Sequence, residues 1–239
     1  MTYPDVQEAP AAGMDLRLAQ SEPAEDTRMR WRWLEHRILQ PGDVTLDDIE
    51  ALSLLCGLDE PQAEALLSAF GSLPEVIGAP AADLARVAGR RAAVRLRLVQ
   101  ALARRQLAQP LRERPVISAS SQLHAYLRAG LTGAPREQFR VLFLDKKNRL
   151  ISDEAMGEGT VDHAPVYPRE VMRRALELNA SAVILAHNHP GGDPTPSAAD
   201  IDMTRQVIEA GRALRIAVHD HVIVGGQSTA SLRTLGLLP

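Results

Sequence analysis

The pattern of apolar and polar positions divides the chain into a helical first half and a mixed second half. Residues 1–27 lack a sustained periodicity, which predicts a mobile tail. Between residues 28 and 109 apolar side chains recur at helical spacing, and Gly71 and Gly89 end two of the predicted helices. A last helix is predicted from Ala92 to Leu107, and the prolines that follow it indicate a linker. The first half is therefore predicted to be a small all-α domain.

Residues 110–239 show short apolar runs that alternate with amphipathic segments. The apolar runs predict strands and the amphipathic segments predict helices, and a polar turn after the first strand is typical of a hairpin. In chain order the predicted elements are a strand at 139–144, a strand from 149, a helix at 169–179, a strand at 182–187, a helix at 197–214 and a strand at 216–224. This alternation predicts an α/β (α+β) domain over residues 110–239.

Composition narrows the possible environments and partners of this protein. Aromatic residues make up only 3% of the chain, which argues against an aromatic-lined groove for single-stranded nucleic acid. Cys56 is the sole cysteine, so no intrachain disulfide forms. No apolar run reaches the ~18 residues that a membrane span requires, and no apolar leader is visible. Together these features predict a soluble protein of the reducing cytoplasm.

The formal net charge of −3 hides a strong segregation of charge along the chain. Residues 43–64 hold seven acids and no Lys or Arg, whereas residues 84–114 hold nine arginines and one acid. The second segment carries a local charge of +8, which favours contact with phosphates. A solvated helix surface explains the same arginines equally well, and both interpretations stay open.

The chemistry is concentrated between His187 and Asp200. His187 and His189 alternate along a strand and are expected to share one face, where two imidazoles suit a borderline cation such as Zn²⁺. Glycines and prolines then force a turn that brings Asp200, in the first turn of a helix, back as a third ligand. Three protein ligands leave a position for water, as in catalytic zinc sites. Alternatively, Ser197 and Asp200 form a capping box and nothing more.

This arrangement, H-x-H-P-x-G followed by P-S-x-x-D, resembles the JAMM (MPN+) motif of zinc-dependent isopeptidases. Further segments in the same order make residues 115–239 similar to the bacterial RadC family: Phe139–Asp145, Glu158–Val161, Val166–Glu170, His187–Pro190 and Asp220–Gly225. The resemblance implies a mixed sheet flanked by helices, like that of JAMM and cytidine deaminase domains, and one zinc ion per chain.

The resemblance also implies roles for individual residues. His187, His189 and Asp200 would be the zinc ligands, and Ser197 would help to hold the tetrahedral intermediate. JAMM enzymes need a glutamate on an earlier strand as general acid and base, and Glu137 is our candidate because it precedes an apolar strand. A solvated charge at the edge of the strand is the plain alternative for Glu137. Two other carboxylates compete with it for the role, namely Glu158 and Glu170.

The helical half resembles the helix-hairpin-helix modules that bind DNA in the RadC family. The segments that carry this resemblance are Phe70–Ile77 and Ala85–Arg91. The hairpin normally has a second glycine two residues after Gly89, where this chain has Arg91. Weak, non-specific DNA contact is therefore predicted through side chains, namely those of Arg86, Arg90, Arg91 and Arg95.

A second histidine pair, His219 and His221, is expected to share one face of the last strand. The pair could complete a second metal site with His163 or an acid. For His221 alone, a place beside the first metal site and burial in the core are the other two interpretations.

Two functions follow from the sequence. The first is a zinc-dependent hydrolase of amide or isopeptide bonds, whose substrate is a peptide or isopeptide of unknown identity. The second is a non-catalytic, DNA-associated repair accessory protein that retains the metal site. The sequence fixes no oligomeric state and is compatible with a dimer.

Overall fold

The computed structural model describes residues 25–39, 45–116, 120–158 and 166–238. The chain divides into two compact units, residues 1–44 and residues 45–239. The first unit contributes one described element, helix α1 (Glu25–Leu39). Most of the predicted tail therefore lies outside the described residues, as does His163. Among the described helices, none combines the length and the apolar character that a membrane crossing needs.

The second unit is built on a five-stranded mixed sheet. Its strands are β1 (Gln138–Leu144), β2 (Leu150–Glu158), β3 (Ala182–His189), β4 (Ala217–Gly225) and β5 (Ser228–Ser231). They lie in the order β2-β1-β3-β4-β5, and only β3 and β4 run parallel. Three helices follow the arginine-rich region: α6 (Ser120–Leu131), α7 (Pro168–Glu177) and α8 (Ala198–Leu214), the last of which connects the two parallel strands. The predicted mixed α+β class is confirmed.

Both faces of the sheet are buried, which explains the near-continuous apolar character of β1 and β3. Alternate residues of each strand enter two separate cores. Leu142 and Ile184 pack with α6 and with residues 108–111 on one face, whereas Val141 and Leu185 pack with α7 and α8 on the other. The second face is the one that carries the candidate site, because His187 continues the alternation that begins with Val183 and Leu185.

The helical region that precedes the sheet consists of α2 (Asp48–Cys56), α3 (Glu60–Phe70), α4 (Leu73–Gly78) and α5 (Ala81–Glu113). Asp47 and Asp59 cap α2 and α3 with complete capping boxes. Gly89 has φ +82° and ψ 162°, so it interrupts α5 where the sequence predicted the end of a helix. These helices bury their own apolar core, to which Leu52, Leu66, Val76, Leu84 and Leu96 contribute.

The helical region contacts the sheet region in two ways, by a close approach of backbone atoms and by ion pairs. An added Cβ at Gly78 would lie 1.8 Å from the carbonyl oxygen of Thr132, so a side chain there would prevent α4 from packing on the end of α6. The buried carboxylate of Asp153 accepts hydrogen bonds from Arg104 of α5 at 3.0 Å and from Arg140 of β1 at 2.8 Å. The described residues from 45 to 238 therefore form one packed body, and the predicted domain boundary near residue 109 stays a prediction.

Candidate metal centre

Strand β3 delivers the two predicted histidines to one face of the sheet. His187 pairs with Phe139 of β1, and the two rings stack with their centroids 6.1 Å apart. The side chain of His187 is fully buried, whereas that of His189, at the end of the strand, is 23% exposed. The predicted alternation therefore places one imidazole inside the protein and the next at its surface.

A tight turn returns the chain to the histidines. Gly192 adopts φ +85°, and an added Cβ at Gly225 of β4 would lie 2.5 Å from the nitrogen of Pro194. This close contact holds the loop against the end of β4.

The chain then enters α8 at Ser197, whose side chain accepts a hydrogen bond from the Asp200 N–H at 3.1 Å. The carboxylate of Asp200 accepts from the Ser197 hydroxyl at 2.6 Å and from its N–H at 2.8 Å. The capping box is thus present.

The carboxylate oxygens of Asp200 have further contacts besides those of the cap. Its Oδ1 lies 3.2 Å from His187 Nε2, and its Oδ2 lies 3.6 Å from His189 Nε2. The two Nε2 atoms are 2.9 Å apart. These three residues form a group whose donor atoms all lie within 4.8 Å of one another, and they can hold a metal ion. Capping and metal binding, the two alternatives for Asp200, are therefore compatible.

A chain of hydrogen bonds behind His187 decides which of its nitrogens carries the proton. Thr204 Oγ1 lies 2.5 Å from the Asp200 carbonyl, to which it donates, and 2.7 Å from His221 Nδ1. His221 Nδ1–H must then be the donor to Thr204, which leaves His221 Nε2 to accept from His187 Nδ1–H at 2.8 Å. His187 Nε2 consequently presents its lone pair to the cluster.

His189 is oriented in the same sense. Its Nδ1 lies 2.7 Å from the carbonyl oxygen of Asp193, so Nδ1 carries the proton and Nε2 is unprotonated. Two imidazole lone pairs and a carboxylate then face one another at close range, which is repulsive without a cation between them. Two imidazoles and one carboxylate are a donor set that zinc prefers. The residues present therefore fit a divalent metal of this kind.

The electrostatics of the site agree with this assignment. Burial opposes ionisation of Asp200, whereas the hydrogen bonds from Ser197 favour it and lower the pKa of the carboxyl. Burial also holds the pKa of His221 well below its usual value. His221 is thus neutral at pH 7, as a residue that both donates and accepts must be.

Glu137 lies one residue before β1 and outside the group of three ligands. Its position is fixed by Asn188, which sits between the two histidines. Asn188 accepts a hydrogen bond from the Gln138 N–H at 2.9 Å and donates to the Arg136 carbonyl at 3.1 Å, so it holds the backbone on both sides of Glu137. The structure therefore places Glu137 beside the end of β3.

The competing glutamates lie elsewhere in the fold. Glu158 is the last residue of β2, and its side chain is outside the described residues. Glu170, in the first turn of α7, accepts a hydrogen bond from Arg173 at 2.9 Å and belongs to an exposed ion-pair network.

The prediction that His219 and His221 share a face of β4 is wrong. Val183 pairs with Val218 and the next residue of β3 pairs with Asp220, so His219 is the extra residue of a β-bulge. His219 Nε2 lies 2.7 Å from Asn148 Oδ1, in the turn between β1 and β2, whereas His221 contacts His187.

Thr204 and Asn188 were not predicted from the sequence, and the place of His221 stayed open. The sequence contained a signal for Asn188, because it lies between the two histidines on the strand and must face away from them. Thr204 follows Asp200 by one helical turn, and that spacing was the available signal.

Comparison with known families agrees with the geometry. A family model described as a RadC-like JAB domain matches residues 117–237, which is more than half of the chain and includes all three ligand candidates. JAB domains are related to the JAMM family that the sequence resembled. The chain therefore belongs to the RadC-like JAB domain family.

Proposed function

We propose that this protein is a zinc-dependent hydrolase of amide bonds, of the metallopeptidase or isopeptidase type. The observation that carries the proposal is the convergence of His187 Nε2, His189 Nε2 and the Asp200 carboxylate, with both imidazoles held in the tautomer that leaves Nε2 unprotonated. A zinc ion held there supplies a Lewis acid that activates water for attack on an amide carbonyl. Three protein ligands are typical of catalytic rather than structural zinc sites.

The remaining chemistry requires a base, and we assign it to Glu137. In this role its carboxylate takes a proton from the attacking water and returns it to the leaving amine. The support is positional: Asn188 fixes the backbone on both sides of Glu137, and the β1–β3 register, with Phe139 opposite His187, brings the start of β1 to the level of His189. Glu137 is also absent from the ligand group, as a base must be.

Ser197 would stabilise the oxyanion that forms on the substrate carbonyl. Its hydroxyl donates to Asp200 Oδ2 at 2.6 Å, so a contact with the substrate requires the hydroxyl to turn away from this acceptor. The N–H of Ser197 continues to donate to the same carboxylate at 2.8 Å, which keeps Asp200 in place.

Metal analysis combined with a hydrolysis assay tests the proposal. Full-length protein is expected to bind one zinc ion per chain and to hydrolyse a subset of amide- and isopeptide-linked peptides. The activity should disappear with a chelator and return with Zn²⁺. A zinc-loaded, folded protein that cleaves none of a broad panel of such substrates would contradict the hydrolase proposal and leave the accessory-protein alternative.

Thr204 provides a test of the metal site that does not depend on activity. Thr204→Val removes the hydroxyl that accepts from His221 and is expected to weaken Zn²⁺ affinity about 10-fold or more, because partners behind a metal ligand typically contribute 10–100-fold. Thr204→Ser keeps the hydroxyl and should restore most of the affinity. Competition with a chromophoric chelator measures the Zn²⁺ affinity of both variants. Equal affinities in Val and Ser variants of equal thermal stability would contradict a role for the hydrogen bonds from Thr204 through His221 to His187.

DNA association is a second candidate function, favoured by the exposed arginines of α5. The side chain of Arg86 is 74% exposed, and Arg90, Arg91 and Arg95 are exposed as well. We propose that they contact phosphates, with little preference for sequence. If all four bind, the logarithm of the affinity should fall with the logarithm of salt concentration with a slope of about −3 to −4.

Replacing Arg90 and Arg91 together by Gln should make that slope less negative by about 2, as measured by fluorescence anisotropy with the full chain. The matched control replaces Arg205 and Arg212, two exposed arginines of α8, and should have no such effect. Absence of binding at low salt would leave the α5 arginines as a solvated helix surface.

A further inference from the structure

A cleft of about 610 Å³ lies between α5 and the segment that leads into β1. Four arginines line it, two from α5, one from the segment before β1 and one from β1, namely Arg97, Arg104, Arg136 and Arg140. Asp83 and Glu137 are the acids of the lining. Among these lining residues guanidinium groups outnumber carboxylates by two to one, although the chain as a whole is acidic.

The floor of the cleft holds more positive charge than its acid neutralises. Arg140 is 9% exposed and donates to Asp153 Oδ1 at 2.8 Å, while Arg104 donates to Asp153 Oδ2 at 3.0 Å. The third partner of this carboxylate is the neutral hydroxyl of Tyr126, at 2.5 Å. Two guanidinium groups thus share one carboxylate. Buried charge of this kind is costly unless it is compensated, so the floor favours an incoming anion.

The rim of the cleft supplies free donors above this floor. Arg97 and Arg136 are both exposed, and the hydrogen bond that the structure gives the Arg97 guanidinium uses one of its nitrogens, which donates to Gln100 Oε1 at 2.6 Å. A guanidinium has five N–H donors in a planar fork, which matches the two oxygens of a carboxylate. Of the two acids in the lining, Asp83 already lies 3.6 Å from Arg86.

The cleft and the candidate metal centre lie at the same end of the sheet but on opposite faces of it. The cleft is lined by α5 and α6, whereas His187 and His189 lie on the face that packs with α7 and α8. A smaller pocket of about 280 Å³ has His189 in its lining and shares Ala134 and Pro135 with the cleft, and Glu137, the proposed base, also lines the cleft. An extended polypeptide that passes over the end of β3 from the metal centre would therefore reach the arginines.

The lining favours a carboxylate over a nucleic acid. It contains no aromatic side chain on which a base could stack, and its two acids repel a continuous run of phosphates. We propose that this cleft binds an aspartate or glutamate side chain of the polypeptide substrate. This inference rests on the proposed hydrolase function, which it extends by a substrate class.

Peptide binding tests the inference without any turnover. A fluorescein-labelled hexaglutamate peptide is expected to bind the full chain more tightly than its hexaglutamine counterpart. Replacing Arg97 and Arg136 together by Gln should weaken hexaglutamate binding about tenfold or more, because hydrogen bonds to charged groups are strong. Replacing Arg105 and Arg112, two exposed arginines of α5 outside the cleft, should change it little.

The outcomes separate this inference from the proposed function. Equal binding of the two peptides, or an equal loss in both double variants, would overturn it. The inference would also be overturned if an oligothymidylate bound through Arg97 and Arg136 and hexaglutamate did not bind. His189→Ala should keep hexaglutamate binding even though it lacks a metal ligand. If binding behaves as expected but zinc-loaded protein cleaves no amide, the proposed function fails and the anion cleft stands.

Discussion

Replacing Glu137 by Gln is expected to reduce amide hydrolysis by about 10²–10⁴-fold while the zinc content stays at the wild-type level. The substitution preserves the size of the side chain and its capacity for hydrogen bonds, but the amide cannot accept the proton of the attacking water. Zinc should stay bound because Glu137 is not among the residues whose donor atoms converge. Metal analysis and turnover measured on the same preparation check both halves of the expectation.

The two competing glutamates provide matched controls. Glu170→Gln removes a carboxylate that pairs with Arg173 on the surface of α7, and it should leave both zinc and turnover nearly unchanged. Glu158→Gln changes the last residue of β2 and should behave in the same way. A fully active Glu137→Gln protein beside an inactive Glu158→Gln or Glu170→Gln protein would move the base to another residue without affecting the metal site.

Loss of either histidine ligand is expected to abolish stoichiometric zinc binding. In His187→Ala and His189→Ala two donors replace three, so the zinc content should fall from about one ion per chain to near zero. Elemental analysis after gel filtration measures this directly. Full stoichiometry in both variants would show that the metal, if present, is held elsewhere.

The two histidine variants differ in what they do to the fold. His187 is fully buried and stacks on Phe139, so its truncation leaves a cavity and breaks the bond to His221. His189 is partly exposed at the end of β3, and its removal should leave the thermal stability of the metal-free protein nearly unchanged. Zinc loss in His189→Ala therefore reports on coordination alone, whereas His187→Ala combines coordination with packing.

Local signals made much of this fold predictable. The apolar run at 139–144 and the run that begins at Ala182 are long, uninterrupted and bounded by turn residues, and both are strands. The helices that begin at Pro168 and after Ser197 follow helix-start signals in the sequence. The three ligand candidates were predictable because two of them lie on one strand and the third follows a forced turn.

What the sequence did not reveal depends on contacts between distant segments. Helix α6 lies in a stretch where no element was predicted, and it is stabilised by burying Leu123 and Leu127 against the sheet. Strand β5 has four residues, too few for an alternation to be visible, and exists because it pairs with β4. The hydrogen bonds between Asn188 and the backbone of Arg136 and Gln138 likewise join residues about fifty positions apart.

The bulge at His219 acts as a one-residue phase shift. Val218, before it, packs with the α7–α8 side of the sheet, whereas Val222 and Val224, after it, pack with the α6 side. Strict alternation would have placed Val218 and Val222 on the same side and turned His221 away from His187. The orientation of His187, the first ligand, thus depends on the number of residues in β4, a strand that contributes no ligand. A chain one residue shorter at this point would keep every residue of the His187–Asp200 motif and lose the hydrogen bond that fixes its first imidazole.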